Sequence, residues 1–264
     1  MNENATTAAG AEPVALSSEP EPGAGEPLSV TRPEGPVQLT VAEAAGLTAV
    51  TAIACVGIVS LLSAQWGWHN GWLAAGIGVA LTAAIGLGAL AFGGHVRVRL
   101  DRTEVVLVVG VLAAALFMFL PGWRYTYADK DPGIYVAHAF LIAREGNVEV
   151  ADPVEERDLD VGEYFGRRFP GVWPGQAEDT STSQFYHYYS SLLATADDIA
   201  GTRGVFNATP LMAALSITLF VLAARRATNT TVAAITGALL VTSMMQVWQS
   251  RYPSTEILAQ LFLS

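Results

Sequence analysis

Along this chain, long uncharged apolar runs alternate with short charged junctions. The first apolar run extends from about Ala44 to Ala64 and the second from Trp72 to Gly94, while a third, Val105 to Leu120, ends at Pro121-Gly122. After a long polar stretch come Val205 to Ala224 and Thr231 to Val247. Each run is close to the ~20 residues that an α-helix needs to cross ~30 Å of hydrocarbon. The pattern therefore predicts five full transmembrane helices. Ile257 to Leu263 reads as the opening of a sixth span, so the chain is expected to be the N-terminal part of a longer protein. The expected fold class is an all-α polytopic membrane protein with surface helices in one large loop, residues 122–204.

Residues 1–36 are rich in Ala, Glu, Pro, Gly, Ser and Thr and nearly lack large apolar side chains. Such a segment buries too little to offset its ordering entropy and reads as a disordered tail. It has neither the basic start nor the early apolar stretch of a signal peptide. Residues 37–103 then read as a pair of N-terminal spans, and 104–264 as a second module that contains the loop. Composition agrees: 52% of residues are hydrophobic and 14% charged, where a soluble domain carries about 25% charged residues. A net charge of −10 argues against nucleic-acid binding, which requires a basic face. The single cysteine, Cys55, cannot form an intrachain disulfide.

Arginine placement sets the expected orientation. Arg97, Arg99 and Arg102 lie between the second and third runs, and Arg225 and Arg226 follow the fourth. With these clusters inside, the N-terminus is cytoplasmic and the loop, with 14 acidic and seven basic side chains, is extracytoplasmic. Trp66, Trp68, Trp72, Trp123 and Trp248 all fall at predicted outer ends, where indole rings favour the interface. Glycines 76, 78, 86 and 88 in the second run are expected to let helices approach closely.

Candidate chemistry begins where the loop does. In Lys130-Asp131-Pro132-Gly133-Ile134-Tyr135 the proline suits the first turn of a helix, with Asp131 at the N-cap. The helix is expected to run to about Arg144, to stop at Gly146 and to lie along the membrane surface. A cap is the simplest role for Asp131. A second carboxylate shifts the balance: Arg251 and Glu256 follow the fifth run, on the same predicted face as Asp131. Ionisable residues at a membrane boundary are functional candidates by default. The acidic run Glu149 to Glu163 lacks calcium-loop spacing and reads as solvated surface. Asp197 and Asp198 read as a polar helix end.

Taken together these features resemble the GT-C-fold glycosyltransferases, the group that includes the protein O-mannosyltransferases and the lipid A aminoarabinose transferases (glycosyltransferase family 39-like). The resemblance rests on Asp131 just after a span, Tyr135 four positions later and a loop helix ending in Gly146. It continues through Tyr186-His187-Tyr188-Tyr189, where the family often has His-Pro-Pro, and the basic pair Arg225-Arg226. It ends in Arg251 to Leu261, where Glu256 stands in place of the usual Asp. The covered stretch is roughly Val105 to Ser264.

That resemblance implies an inverting transferase at the extracytoplasmic face of the plasma membrane. It would take a sugar from a polyprenyl-phosphate donor to a glycan, lipid or protein acceptor. In this reading Asp131 is the general base, while Tyr135 and His187 contact substrate. Arg251 faces the leaving phosphate and Glu256 orients it, or joins Asp131 in holding a divalent cation. The rival is a non-catalytic polytopic protein, transporter-like or an assembly subunit, whose loop binds partners. A transporter is expected to carry ionisable residues deep within its spans, and the five runs have none.

Overall fold

The computed structural model describes residues 37–92, 96–126, 130–151, 171–176 and 180–264, all within one compact unit that extends from Pro36 to Ser264. The tail 1–36 and the acidic run beyond Ala151 lie outside the described residues.

A short strand β1 (Gln38–Thr40) leads into α1 (Val41–Gln65), whose start is fixed by a reciprocal capping box. The Thr40 hydroxyl accepts from the Glu43 amide, and the Glu43 carboxylate accepts from the Thr40 amide. Helix α2 (Gly71–Phe92) returns alongside α1, and β2 (Arg97–Arg99) pairs with β1 in parallel. Helix α3 (Arg102–Phe119) starts at Asp101, whose side chain accepts from the Glu104 amide. Then come α4 (Asp131–Glu145) and three strands, β3 (Glu149–Ala151), β4 (Val172–Pro174) and β5 (Thr180–Ser183), in the antiparallel order β3-β5-β4. The chain finishes with α5 (His187–Ala200), α6 (Thr202–Ala227), α7 (Thr230–Thr242), α8 (Met244–Arg251) and α9 (Thr255–Leu263).

By length and composition α1, α2, α3 and α6 can each cross a membrane. The fifth apolar run is not one straight helix: α7 and α8 meet at Ser243 with a bend of 61°. Ser243 is extended (φ −62, ψ 122) and closes α7 while opening α8. Hydropathy alone cannot register such a break, because the residues on both sides of it remain uncharged. The two small sheets were also not anticipated, since strands of three or four residues leave no usable alternation.

Helix α6 is the hub, with 72% of its apolar window buried against 17% for α2 and α3. It packs on α1, α3, α5, α7, α8 and α9. The loop helices share the same core. Tyr135, Val136, Ala139 and Ile142 of α4 and Tyr189, Leu192 and Leu193 of α5 join Phe119, Val205 and Phe206. Helix α4 therefore docks its apolar stripe on α5 rather than lying free along a surface. It ends where expected, at Gly146 with φ 76. Its start differs: Lys130 is the N-cap and Asp131 is the first helical residue. Of glycines 76, 78, 86 and 88 only Gly78 meets a neighbour, at Val56 of α1, and Gly76, Gly86 and Gly88 face open space.

The α1–α2 turn abuts the loop. The His69 amide donates to the Gly146 carbonyl (2.9 Å) and the Val148 amide to the Ala64 carbonyl (3.2 Å). Asp198 of α5 accepts from the Gly71 amide at 2.6 Å, with the buried His69 Nε2 3.5 Å away. At the opposite end of the bundle Arg225 pairs with Asp101 (2.7 Å) and with the buried Glu104, and the Thr40 hydroxyl also bonds Glu104.

Candidate functional site

Two helix starts at the loop end of the bundle each place a carboxylate within electrostatic reach of Tyr135. Asp131 occupies the first turn of α4 and Glu256 the first turn of α9, and both side chains are exposed. A carboxylate in a first turn is stabilised by the positive end of the helix dipole. Tyr135, one helical turn beyond Asp131, lies on the same face of α4. It is buried, with its ring against Phe185 (4.9 Å between centroids) and Tyr189 (5.3 Å, edge-to-face). Its hydroxyl lies beside the Thr255 side chain. Burial pushes its pKa up, the Thr255 side chain holds it down in part, and the negative charges of Asp131 and Glu256 both add to the rise. Tyr135 thus lies within the field of both carboxylates.

Tyr189 extends the cluster inward. It is fully buried, its hydroxyl is 2.5 Å from Thr209 Oγ1 of α6, and burial raises its pKa, with Tyr135 and Glu256 adding to the rise. The arrangement is a pair of solvent-facing carboxylates over a floor of two tyrosines and two threonines. Thr255 and Thr209 were missed in the sequence: nothing local marks either residue, because each meets its tyrosine only through the packing of α4 and α5 against α6 and α9.

Arg251 is held against the end of α3. It ends α8, and its guanidinium donates to the carbonyls of Phe119 (3.3 Å) and Leu120 (3.4 Å), the last turn of α3. Its own carbonyl accepts from the Trp123 amide at 2.8 Å. Two of its five N–H donors therefore satisfy helix-end carbonyls. Around it Trp123, Trp248, Tyr125 and Tyr252 form an aromatic cluster, with Trp248 stacked on Tyr252 at 5.0 Å.

His187, the first residue of α5, is tied to the three-stranded sheet. Its Nε2 lies 3.2 Å from Thr182 Oγ1 and 3.4 Å from the Ser183 carbonyl. Its ring meets His138 edge-to-face at 5.0 Å. Burial depresses the pKa of both imidazoles, that of His138 to about 4. The His138 Nε2–Val148 carbonyl contact of 2.9 Å makes Nε2 the protonated nitrogen. Both histidines are thus neutral packing groups between α4, α5 and β5. Asp131 and Glu256 are the carboxylates that a cation at this end would meet, and among the described residues no group of three or more His, Cys, Asp or Glu side chains converges on a metal position.

This architecture defines a mostly helical protein with four helices able to cross a membrane, or five when the bent α7–α8 pair is counted as one. No family model, curated protein or solved structure matches the chain.

Proposed function

We propose that this chain carries the catalytic end of an inverting glycosyltransferase that takes a sugar from a polyprenyl-phosphate donor. In this reading the arginine-rich end is cytoplasmic and the loop end faces outward from the plasma membrane. Asp131 accepts the proton of an acceptor hydroxyl or amine as its oxygen or nitrogen bonds to the anomeric carbon. The bond from that carbon to the phosphate oxygen breaks on the opposite face, and the lipid phosphate leaves with the electron pair. Glu256, in the first turn of α9, orients the leaving phosphate that Arg251 faces, or shares a divalent cation with Asp131.

The observation that carries this reading is the joint electrostatic action of Asp131 and Glu256, two carboxylates distant in sequence, on the one buried Tyr135. A positioned general base contributes about 10²–10⁴-fold to such a reaction. Asp131→Asn in the full-length protein should therefore lower sugar transfer from a labelled polyprenyl-phosphate donor by that factor, while membrane insertion is retained. Transfer at the wild-type rate by this variant would overturn the assignment.

A second reading, a non-catalytic membrane subunit whose loop binds partners, is favoured by the placement of Arg251 on the α3 carbonyls. Under it Arg251→Ala lowers stability alone. Under the transferase reading the same variant also weakens use of the phosphate-bearing donor.

A further inference from the structure

A cavity of about 470 Å³ opens between the end of α3 and the start of α6, lined by Gly122, Arg124, Thr202, Arg203, Phe206 and Asn207 among others. Arg124 and Arg203 both line this one concavity, and none of its described lining residues is acidic. Among the described residues neither Arg124 nor Arg203 has an ion-pair or hydrogen-bond partner. Among the described residues this is a positive site with no acidic lining, in a chain of net charge −10.

The walls add directed donors. The Gly122 amide donates to Asn207 Oδ1 at 3.2 Å, which fixes the amide orientation and leaves both Nδ2 hydrogens free to donate. Thr202 supplies a hydroxyl. Gly122 lies so close to the Phe206 carbonyl that a Cβ at this position would collide with it, so the α3 exit is held tightly on α6.

Position on the bundle selects the kind of anion. The cavity lies where two apolar helices end, beside Trp123, whose ring leans on Trp248 at 6.2 Å; indole clusters mark the interfacial level of a bilayer. Arg203, Asn207 and Leu211 are successive four-residue steps along α6 and share one stripe. The stripe runs from a guanidinium through an amide to a leucine that is 51% exposed. A free phosphate would use only its polar part. An amphiphile with an anionic head and an apolar tail uses all of it.

We propose that this cavity binds the phosphate headgroup of an anionic membrane lipid. Arg124 and Arg203 clamp the phosphate oxygens, as guanidinium forks do. Asn207 Nδ2 donates to the same group, and the acyl chain descends beside Leu211. The site is separate from the Asp131–Glu256 floor and does not depend on the transferase reading.

The test uses the full chain in lipid nanodiscs, released for native mass spectrometry. Phosphatidylglycerol is the probe, with phosphatidylcholine and inorganic phosphate as separate arms. Wild-type protein should retain phosphatidylglycerol, should not retain phosphatidylcholine, and should not lose the lipid when inorganic phosphate is added. Arg124→Gln/Arg203→Gln should weaken retention about tenfold, equivalent to about 1.4 kcal/mol. Leu211→Gln should weaken lipid retention while leaving both guanidinium groups in place. Unchanged retention by the double variant overturns the proposal, and so does inorganic phosphate that binds as tightly as the lipid. If the double variant fails to fold, Arg203→Gln alone gives the same decision through a smaller loss.

Discussion

The ring of Tyr135 packs against Phe185 and Tyr189 while its hydroxyl faces Thr255, so the two contributions can be separated. Tyr135→Phe keeps the packing and removes the polar contact with Thr255, a loss of about 1 kcal/mol if it acts as a hydrogen bond. A Tm lowered by roughly 2–4 °C in detergent is the expected outcome; no change would mean that the hydroxyl contributes nothing. The histidines make a second residue-scale prediction. His138 titrates at about 4 in the fold, below its ordinary 6.5, so the folded state prefers the neutral ring. Its contribution is complete above about pH 6.5 and is lost as pH falls towards about 4, and His187 acts in the same direction. The total from His138 is on the order of 3 kcal/mol, so denaturant titrations at pH 7 and pH 4.5 should differ markedly. His138→Phe should flatten that dependence. The Asp131–Tyr135 relation was legible in the sequence because one helical turn is a local fact. The target of Arg251 was not, since no spacing reveals that its donors would meet the carbonyls of Phe119 and Leu120.

Elements are held at the arginine-rich end by charge and at the loop end by apolar packing. Glu104, buried near the start of α3, depends on Arg225 at the end of α6 and on the Thr40 hydroxyl before α1. Arg225→Gln leaves that carboxylate without its cation, at a cost on the order of 3 kcal/mol. Pairing it with Glu104→Gln should restore much of the loss, and a double-mutant cycle of thermal unfolding measures the coupling. Equal destabilisation by the single and double variants would refute this account. Apolar length sufficed to find α1, α2, α3 and α6, because a bilayer demands ~20 uncharged residues. It could not separate α7 from α8, and the docking of α4 on α5 required a partner face that one sequence does not reveal.

At the scale of the molecule, the α1–α2 hairpin is joined to the loop rather than standing beside it. Ser60 of α1 donates to the Ser191 carbonyl of α5 at 2.6 Å and accepts from Thr195 at 2.9 Å. Asp198, which reads in the sequence as a polar helix end, accepts the Gly71 amide and faces His69. Asp198→Ala should loosen the α1–α2 turn from α5. Hydrogen exchange at the amides near His69 and Gly71 should rise well before global unfolding, whereas an unchanged exchange pattern would place the joint elsewhere.

The break at Ser243 leaves α7 with 13 residues, a rise of about 20 Å against roughly 30 Å of hydrocarbon. The slanted α8 must cover the difference, with Gln246, Gln249 and Arg251 along its length. Seated in a bilayer, a wall this short would favour a thinner leaflet beside it. The floor beneath Asp131 and Glu256 would then lie in a dimple, nearer the mid-plane than the surrounding headgroups. Bilayers of shorter acyl chains should accordingly raise the thermal stability of the chain, and longer ones should lower it.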